Sequence, residues 1–473
     1  MSNKSMIAII GMAVMGQNLA LNIAGKGFPV TVFNRTTETT ERFFRERVNG
    51  VPIRPTSTLE ECIQSLEKPR RVMLMVKAGQ AVDTFCQKLY SLLGPGDVII
   101  DGGNSHFTDT NRRVLEAERR GLFYLGTGIS GGEEGALSGP SIMPGGHRDA
   151  YEAVQNILEK SAAQAEDGPC CTYLGPESAG HFVKMVHNGI EYAFMQAIAE
   201  CYDLLSRGCG LPAGEIGDIF HEWNATESLG SYLVEITWKI LKHRDQETGQ
   251  PLIDLISDQA EQKGTGKWSS QAALDLGVPI PAITASVVAR TLSSYVGFRK
   301  MGTTIYQPPV FTFPPRAKLI DSLGHALFLA QTTAFSEGMH LLAEASREFA
   351  YRLPLSEVPR IWKGGCIIRS RLLKRFQSAF ASQNTTLLIH SPEFRDDISR
   401  ALDPLREVVA TAIYAGIPAP LFSASLGYLD GFCSQRLPSS LIQAQRDFFG
   451  AHAFRRIDRE GIFHEQWGER DSG

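Results

Sequence analysis

Short apolar runs alternate with helical stretches through the first third of the chain. The runs at residues 6–10, 30–33, 72–76, 98–100 and 123–125 are apolar or β-branched at consecutive positions, not at every second one. A strand of that kind is covered on both faces, so the pattern predicts a parallel sheet between two layers of helix. From about Ala179 the strand runs stop, and helical periodicity governs segments such as 182–205 and 326–345. These two segments share a further pattern. Glu200-x-x-x-Leu204-Leu205-Ser206-Arg207, Leu211-Pro212 and Glu215-Ile216-x-x-Ile219-Phe220 are echoed by Glu337-x-x-x-Leu341-Leu342, Ser346-Arg347, Leu353-Pro354 and Glu357-Val358-x-x-Ile361-Trp362. A duplicated helical unit stacks on its copy and buries a common apolar face. From about Pro438 the chain is rich in Arg, Phe and Gly and reads as a tail that packs on something else. The expected organisation is an α/β domain over 1–178, a large all-α domain with an internal helical repeat over 179–437, and a C-terminal tail over 438–473.

The length of 473 residues suits two or three domains at roughly 150 residues each. A net charge of −4 argues against general affinity for nucleic acid or an anionic membrane surface. The eight cysteines form no C-x-x-C pair, and no window approaches the roughly 20 apolar residues of a membrane span. The opening MSNKSMIAIIG has too short an apolar run for a signal peptide and leads straight into a strand. A cytoplasmic protein with reduced thiols is expected.

The first strand runs into Gly11-Met12-Ala13-Val14-Met15-Gly16 and then a helix, which is a G-x-A-x-x-G dinucleotide loop. Gly11 allows the tight turn, Gly16 lets helix and strand approach, and the helix N-terminus offers N–H groups to a pyrophosphate. The second strand ends in Asn34-Arg35-Thr36, where NAD-binding proteins place an acidic residue on the ribose. A carboxylate there repels a 2′-phosphate, whereas Arg35 can pair with one bidentately, so the cofactor is expected to be NADP. Three more strand ends converge on the same sheet edge: Val76-Lys77-Ala78-Gly79, Asp101-Gly102-Gly103-Asn104-Ser105, and the run from Ser130-Gly131-Gly132 to Gly135. Together they predict a binding cleft.

The segment 181–192 carries the chemistry. On a helix Lys184, His187, Asn188 and Glu191 fall at i, i+3, i+4 and i+7, within an arc of about 100°. His and Asn are poor choices for a plain exposed helix. A buried lysine flanked by cationic groups has a lowered pKa and can take a hydroxyl proton as hydride leaves the carbon. Protonated, it polarises the new carbonyl, so that a carboxylate β to it departs as CO2. Glu191 is placed to protonate the resulting enol carbon. The sequence holds no HExxH, facial-triad or DxD cluster, so no metal is expected. Gln262-Lys263-Gly264-Thr265-Gly266-Lys267 lacks the spacing of a nucleotide-triphosphate loop. Lys263 and Arg290 can each meet a substrate phosphate, as can Arg446 and His452 in the tail.

These residues resemble the decarboxylating 6-phosphogluconate dehydrogenases along nearly the whole chain. The matching segments are 11–16, 34–36, 76–79, 101–105, 130–135, 139–146, 181–192, 263–268, 361–369 (IWKGGCIIR) and 446–452. The resemblance implies oxidation and decarboxylation of 6-phosphogluconate to ribulose 5-phosphate with reduction of NADP, in the pentose phosphate pathway. It implies Lys184 as base and acid, and Glu191 as proton donor to carbon. It implies that Asn104, Ser130, Gly131, Gly132, His187 and Asn188 hold the sugar acid, with Asn104 also near the nicotinamide of the cofactor, and that Tyr192, Lys263 and Arg290 form the phosphate pocket. Arg446 and His452 are implied to come from the partner subunit of a homodimer. Leu137 and Ser138 stand where the family pattern has an arginine and an aromatic, and 377–395 matches poorly. A simpler β-hydroxyacid dehydrogenase shares the glycine loop, the S-G-G run and the Lys helix, and a non-catalytic NADP-binding protein could share the scaffold. The phosphate-facing residues and the Lys184/Glu191 pair separate this chain from each in turn.

Overall fold

A computed structural model describes residues 4–261, 264–382 and 387–467. The first region contains β1 (Ile7–Ile10), α1 (Val14–Gly25), β2 (Val30–Phe33), α2 (Thr37–Arg47), β3 (Ile53–Pro55), α3 (Leu59–Gln64), β4 (Arg71–Leu74), α4 (Gln80–Tyr90), β5 (Val98–Asp101), α5 (Phe107–Glu118), β6 (Phe123–Ser130), α6 (Gly132–Ser138), β7 (Ser141–Gly146) and α7 (Arg148–Ser161). A two-stranded hairpin, β8 (Gln164–Ala165) and β9 (Gly168–Pro169), precedes the helical region. There follow α8 (Ala179–Asp203), α9 (Ala213–Asn224), α10 (Tyr232–Lys242), α11 (Thr265–Asp275), α12 (Pro281–Ser293), α13 (Val296–Ile305) and α14 (Arg316–Glu348). The last helices are α15 (Glu357–Ile361), α16 (Leu373–Ala381), α17 (Arg395–Ala415), α18 (Pro420–Phe432) and α19 (Ser439–Gly450).

The seven-stranded sheet has the order β3-β2-β1-β4-β5-β6-β7. The order reverses between β1 and β4, which opens the crevice at the carboxyl ends of those strands. The consecutive apolar positions split between two faces. Ile7 and Ile9 pack with Leu19, Ala20 and Ile23 of α1 and Val154 of α7. Ala8 and Ile10 pack on the other side with Cys62 of α3, Val82 of α4 and Val114 of α5. The expectation of an all-parallel sheet needs one correction, since β7 runs antiparallel to β6, pairing Ser130 with Ser141 and Leu125 with Gly146. β6 also continues well beyond its three expected residues. β7 reads Ser-Ile-Met-Pro-Gly-Gly, a composition that looks like a turn, yet Pro144 pairs at the last strand of the sheet, where a missing N–H costs no ladder bond.

α8 seats on this edge through glycine. A Cβ at Gly180 would lie 2.3 Å from the carbonyl oxygens of Gly126 and Met143, and one at Gly128 would lie 2.3 Å from Lys184 Cβ. α8 is buried along most of its length and ends in a π-helical turn, Leu204–Gly208. α14 packs across α8, where a Cβ at Gly338 would lie 2.5 Å from Ile190 Cδ1. The repeat is visible in chemistry as well as in sequence. Glu200 accepts from the N–H groups of Leu421 and Phe422 in α18, and Glu337 accepts from those of Ala282 and Ile283 in α12. Both capped helices follow matching G-x-P-x-P turns, Gly277 to Pro281 and Gly416 to Pro420.

Two compact units result, Met1–Ser425 and Leu426–Gly473. The smaller unit is organised around Asp447 of α19. Its buried carboxylate accepts from Ala453 N, Glu465 N, Trp467 Nε1 and His464 Nδ1 at 2.7–3.0 Å. Burial pushes that carboxyl up, but these donors hold it well below the usual carboxylate range. Among the described residues no helix is long and apolar enough to cross a membrane.

Candidate active site

Gly11 adopts a φ of +102°, and a Cβ there would lie 2.5 Å from the Met75 carbonyl oxygen. A Cβ at Gly16 would lie 1.9 Å from the Gly11 oxygen, so the turn closes only with glycine at both positions. Ala13 precedes α1 and supplies no side-chain cap, which leaves first-turn N–H groups to be met from outside the helix. Met12 is buried, while Ala13 and Val14 are exposed along the crevice. Asn34 braces the glycine turn, its Oδ1 accepting from Met12 N at 3.1 Å and its Nδ2 donating to Thr36 O at 3.2 Å. Arg35 and Thr36 are exposed beside it at the end of β2. A pyrophosphate fits the α1 N-terminus, and a 2′-phosphate fits the Arg35 guanidinium.

The loops after β4 and β5 are tied together by Arg113 of α5, which is fully buried. Its guanidinium donates to Asp83 Oδ1 at 2.8 Å, Gly79 O at 3.1 Å and Ser105 Oγ at 3.2 Å, and lies 3.5 Å from Asp101 Oδ2. Asp101 in turn accepts from Ser105 Oγ at 2.6 Å and Gly103 N at 3.1 Å. This network shapes the turns that present Val76, Lys77 and Ala78 on one side and Asn104 on the other. The S-G-G turn is fixed from both flanks. A Cβ at Gly131 (φ +120°) would lie 2.6 Å from the Gly365 oxygen, and Asn18 of α1 donates to Glu133 O at 2.7 Å. The backbone N–H groups of Gly131 and Gly132 therefore sit on a rigid turn.

α8 brings its polar residues together one turn at a time. Lys184 Nζ donates to Asn188 Oδ1 at 2.8 Å and lies 3.4 Å from His187 Nδ1. His187 Nε2 meets Ser130 Oγ at 3.2 Å, and His187 Nδ1 lies 3.7 Å from Glu191 Oε2. Lys184, His187 and Asn188 are buried, while Glu191 keeps 20% of its side chain accessible. Lys184, Asn188, Asn104, Met185, Thr265 and Trp268 share the lining of one small cavity. The cause of the lysine shift differs from expectation. Burial pushes Lys184 down, and the neighbouring Glu191 carboxylate acts in the opposite sense. Burial likewise holds His187 well below its ordinary value, with the lysine adding to the effect, and so keeps it neutral. Burial raises Glu191, against the pull of Lys184 and Arg290. Burial thus disfavours the charged form of both the Lys184 amine and the Glu191 carboxyl.

Arg290 stacks on Tyr192, its guanidinium carbon 3.5 Å from the ring centroid, which brings two of the expected phosphate residues together one residue from Glu191. Lys263 lies outside the described residues. Arg446 and His452 belong to the smaller unit, where both are exposed. Three contributors escaped the sequence reading. Trp362 lays its ring edgewise on His187 with centroids 5.5 Å apart, and Arg113 holds the two loops. His181 donates from Nε2 to Asp101 O at 3.1 Å and accepts at Nδ1 from Thr110 Oγ1 at 2.7 Å, locking α8 to β5. An aspartate ending β5 just before G-G-N-S was the available signal for the loop brace, and nothing local pointed to its arginine.

A dinucleotide crevice together with a buried lysine on the first helix of the all-α region defines an oxidoreductase of the hydroxyacid-oxidising kind. Residues 6–175 match the NAD binding domain of 6-phosphogluconate dehydrogenase, and residues 180–467 match the C-terminal domain of 6-phosphogluconate dehydrogenase. The chain is 53% identical to the decarboxylating 6-phosphogluconate dehydrogenase of Synechococcus elongatus, over 97% of this chain and 98% of that one. It is 46% identical to the NADP(+)-dependent, decarboxylating enzyme of Bacillus subtilis, over 98% and 99%. The solved 6-phosphogluconate dehydrogenase of Plasmodium falciparum superposes with a TM-score of 0.94 at 42% identity, covering 98% of this chain and all of that one. The chain belongs to the 6-phosphogluconate dehydrogenase family.

Proposed function

We propose that this chain converts 6-phospho-D-gluconate and NADP+ to D-ribulose 5-phosphate, CO2 and NADPH, with the residues of α8 performing the proton transfers. The observation that carries the assignment of roles is the buried Lys184 amine, bonded to Asn188 and sharing a cavity with Asn104. The Plasmodium relative is described with NADP+ as cofactor and 6-phosphogluconate as substrate, and the phosphate-binding loop of α1 and Arg35 suit NADP here.

When bound, NADP+ accepts a hydride from C3 of the sugar acid. Lys184, whose amine burial makes easier to deprotonate, takes the C3 hydroxyl proton as that carbon is oxidised. The resulting ammonium donates to the new carbonyl oxygen, which draws the electron pair of the breaking C1–C2 bond as CO2 leaves. Glu191, whose proton burial helps to hold, delivers it to the former C2 of the enediol while Lys184 recovers the proton from oxygen. Asn104, Ser130, Gly131, Gly132, His187 and Asn188 orient the sugar acid, and Tyr192, Arg290 and Lys263 receive its phosphate.

The proposal extends to a homodimer in which Arg446 and His452 complete the neighbouring site. Leu441, Phe448 and Phe449 of α19 and Val288, Leu292 and Phe298 of α12 and α13 are exposed, apolar surface that a second copy would cover. We retain the division into 1–178, 179–437 and 438–473, with α8 opening at Ala179, and a cytoplasmic location. The test is stoichiometry: purified protein given 6-phosphogluconate and NADP+ should release one CO2 per NADPH. NADPH formation without CO2 would make it a simple hydroxyacid dehydrogenase, and no NADPH would leave a binding protein.

A further inference from the structure

α12 begins at Pro281 behind Ile280, which offers no side-chain cap. Its cap comes from another helix. Glu337, in the middle of α14, is fully buried and accepts from Ala282 N and Ile283 N, each at 2.9 Å. An isolated carboxyl at such depth is costly unless hydrogen-bonded, and these two donors are the partners it has been given.

The helix so capped leads to the active site. Ile283, one of the two donors, packs where a Cβ on Gly189 of α8 would lie 3.2 Å from its Cγ2. Arg290 stands seven residues further along α12, on the same face two turns on, and stacks over Tyr192. The neighbour of Glu337, Gly338, is the point where α14 meets Ile190. Adjacent residues of α14 therefore hold α12 and α8 in register on either side of Glu191. A slide of α12 by one residue, about 1.5 Å, would take the guanidinium off its ring. The duplicate offers an internal comparison. Glu200 caps α18 through Leu421 N at 2.9 Å and Phe422 N at 3.0 Å, yet α18 carries no residue assigned to the site.

We propose that Glu337 is a positioning residue for substrate phosphate: by capping α12 from α14 it fixes Arg290 against Tyr192. The inference rests on the reading of Arg290 and Tyr192 as the phosphate pocket. Glu337→Gln keeps one acceptor and turns an NH2 toward the second N–H. It is expected to raise KM for 6-phosphogluconate about tenfold, with kcat changed by less than about twofold and KM for NADP+ unmoved. The preference for 6-phosphogluconate over gluconate, as a ratio of kcat/KM, should fall by a similar factor. Glu200→Gln should lower Tm comparably and leave KM for 6-phosphogluconate where it is. If the Gln variant does not fold, Glu337→Asp, which keeps both acceptors one methylene short, is read in the same way. An unchanged KM, or an equal rise in Glu200→Gln, overturns the proposal. Arg290→Ala separates the two levels: if its KM is also unchanged the phosphate pocket lies elsewhere, whereas a raised KM there with none in Glu337→Gln removes only the positioning role.

Discussion

Lys184 Nζ and Asn188 Oδ1, one helical turn apart on α8, lie 2.8 Å from each other inside the protein. The amide oxygen takes one N–H of the lysine and so aims its lone pair, without supplying the negative charge that would hold the ammonium form. Replacing Asn188 by Asp keeps the shape and adds that charge. An opposite charge at this range raises a lysine pKa by about one to three units. The acid limb of the kcat/KM profile should move to higher pH by that amount, because turnover begins only when the amine is free. A profile that stays in place in Asn188→Asp would mean Lys184 is not the base.

Lys184→Met removes the amine and leaves a stem that still packs beside Gly128. General acid–base assistance of this kind contributes roughly 10²–10⁴-fold, and kcat should fall by at least that much. NADP+ affinity, measured by equilibrium binding, should remain, since the glycine turn before α1 and Arg35 at the end of β2 are left unaltered.

Arg35→Asp exchanges a guanidinium for a carboxylate at the end of β2. A charge-assisted pair is worth about 1.5–3 kcal/mol, so the preference for NADP+ over NAD+ should drop by roughly ten- to a hundredfold or invert. Asn34 still braces Met12, so the turn itself should survive. Equal losses with both cofactors would place the 2′-phosphate elsewhere.

The strands and the α8 cluster were legible because both rest on local pattern. Consecutive apolar residues such as those of β1 and β4, in short runs between helical stretches, read as sheet interior, and the i, i+3, i+4, i+7 spacing from Lys184 to Glu191 is a property of one helix. β7 was not legible, because Pro144, Gly145 and Gly146 look like a turn until β6 and Gly180 close on them. The cause of the lysine shift was missed for a related reason: depth comes from packing by β6 and α11, which no residue near 184 announces. The capping of α12 by Glu337 crosses 55 positions and is invisible until the helices are assembled. Its echo at Glu200 shows in the sequence only as a repeated letter.

Gly128 tests how tightly α8 must sit. A Cβ there would lie 2.3 Å from Lys184 Cβ and 2.8 Å from its Cγ. Gly128→Ala must push the helix or the lysine stem, and overpacking of this kind costs about 1–3 kcal/mol. The loss of kcat should exceed the loss of stability suggested by a modest fall in Tm, because the displaced group is the base itself. An alanine variant with full activity would show that α8 can relax without moving Nζ.

Glu337 and Glu200 also set a dependence of stability on pH. Burial raises Glu337 from 4.5 to about 8 and Glu200 from 4.5 to about 7, in each case against the pull of the N–H groups they accept from. In the unfolded chain both titrate near 4.5. Above that pH the unfolded state has released protons that the folded state still holds. Their contribution is therefore complete below 4.5, declines as pH rises, and is gone once pH passes about 7 for Glu200 and about 8 for Glu337. Glu191 works in the same direction and Lys184 in the other, so the informative quantity is a difference between proteins. Denaturant midpoints of wild type should fall relative to those of Glu200→Gln/Glu337→Gln as pH rises between about 5 and 9, the gap closing from the acid side. A gap that is constant with pH would mean that both carboxyls titrate alike in the folded and unfolded chain, held as ordinary carboxylates by the helices they cap.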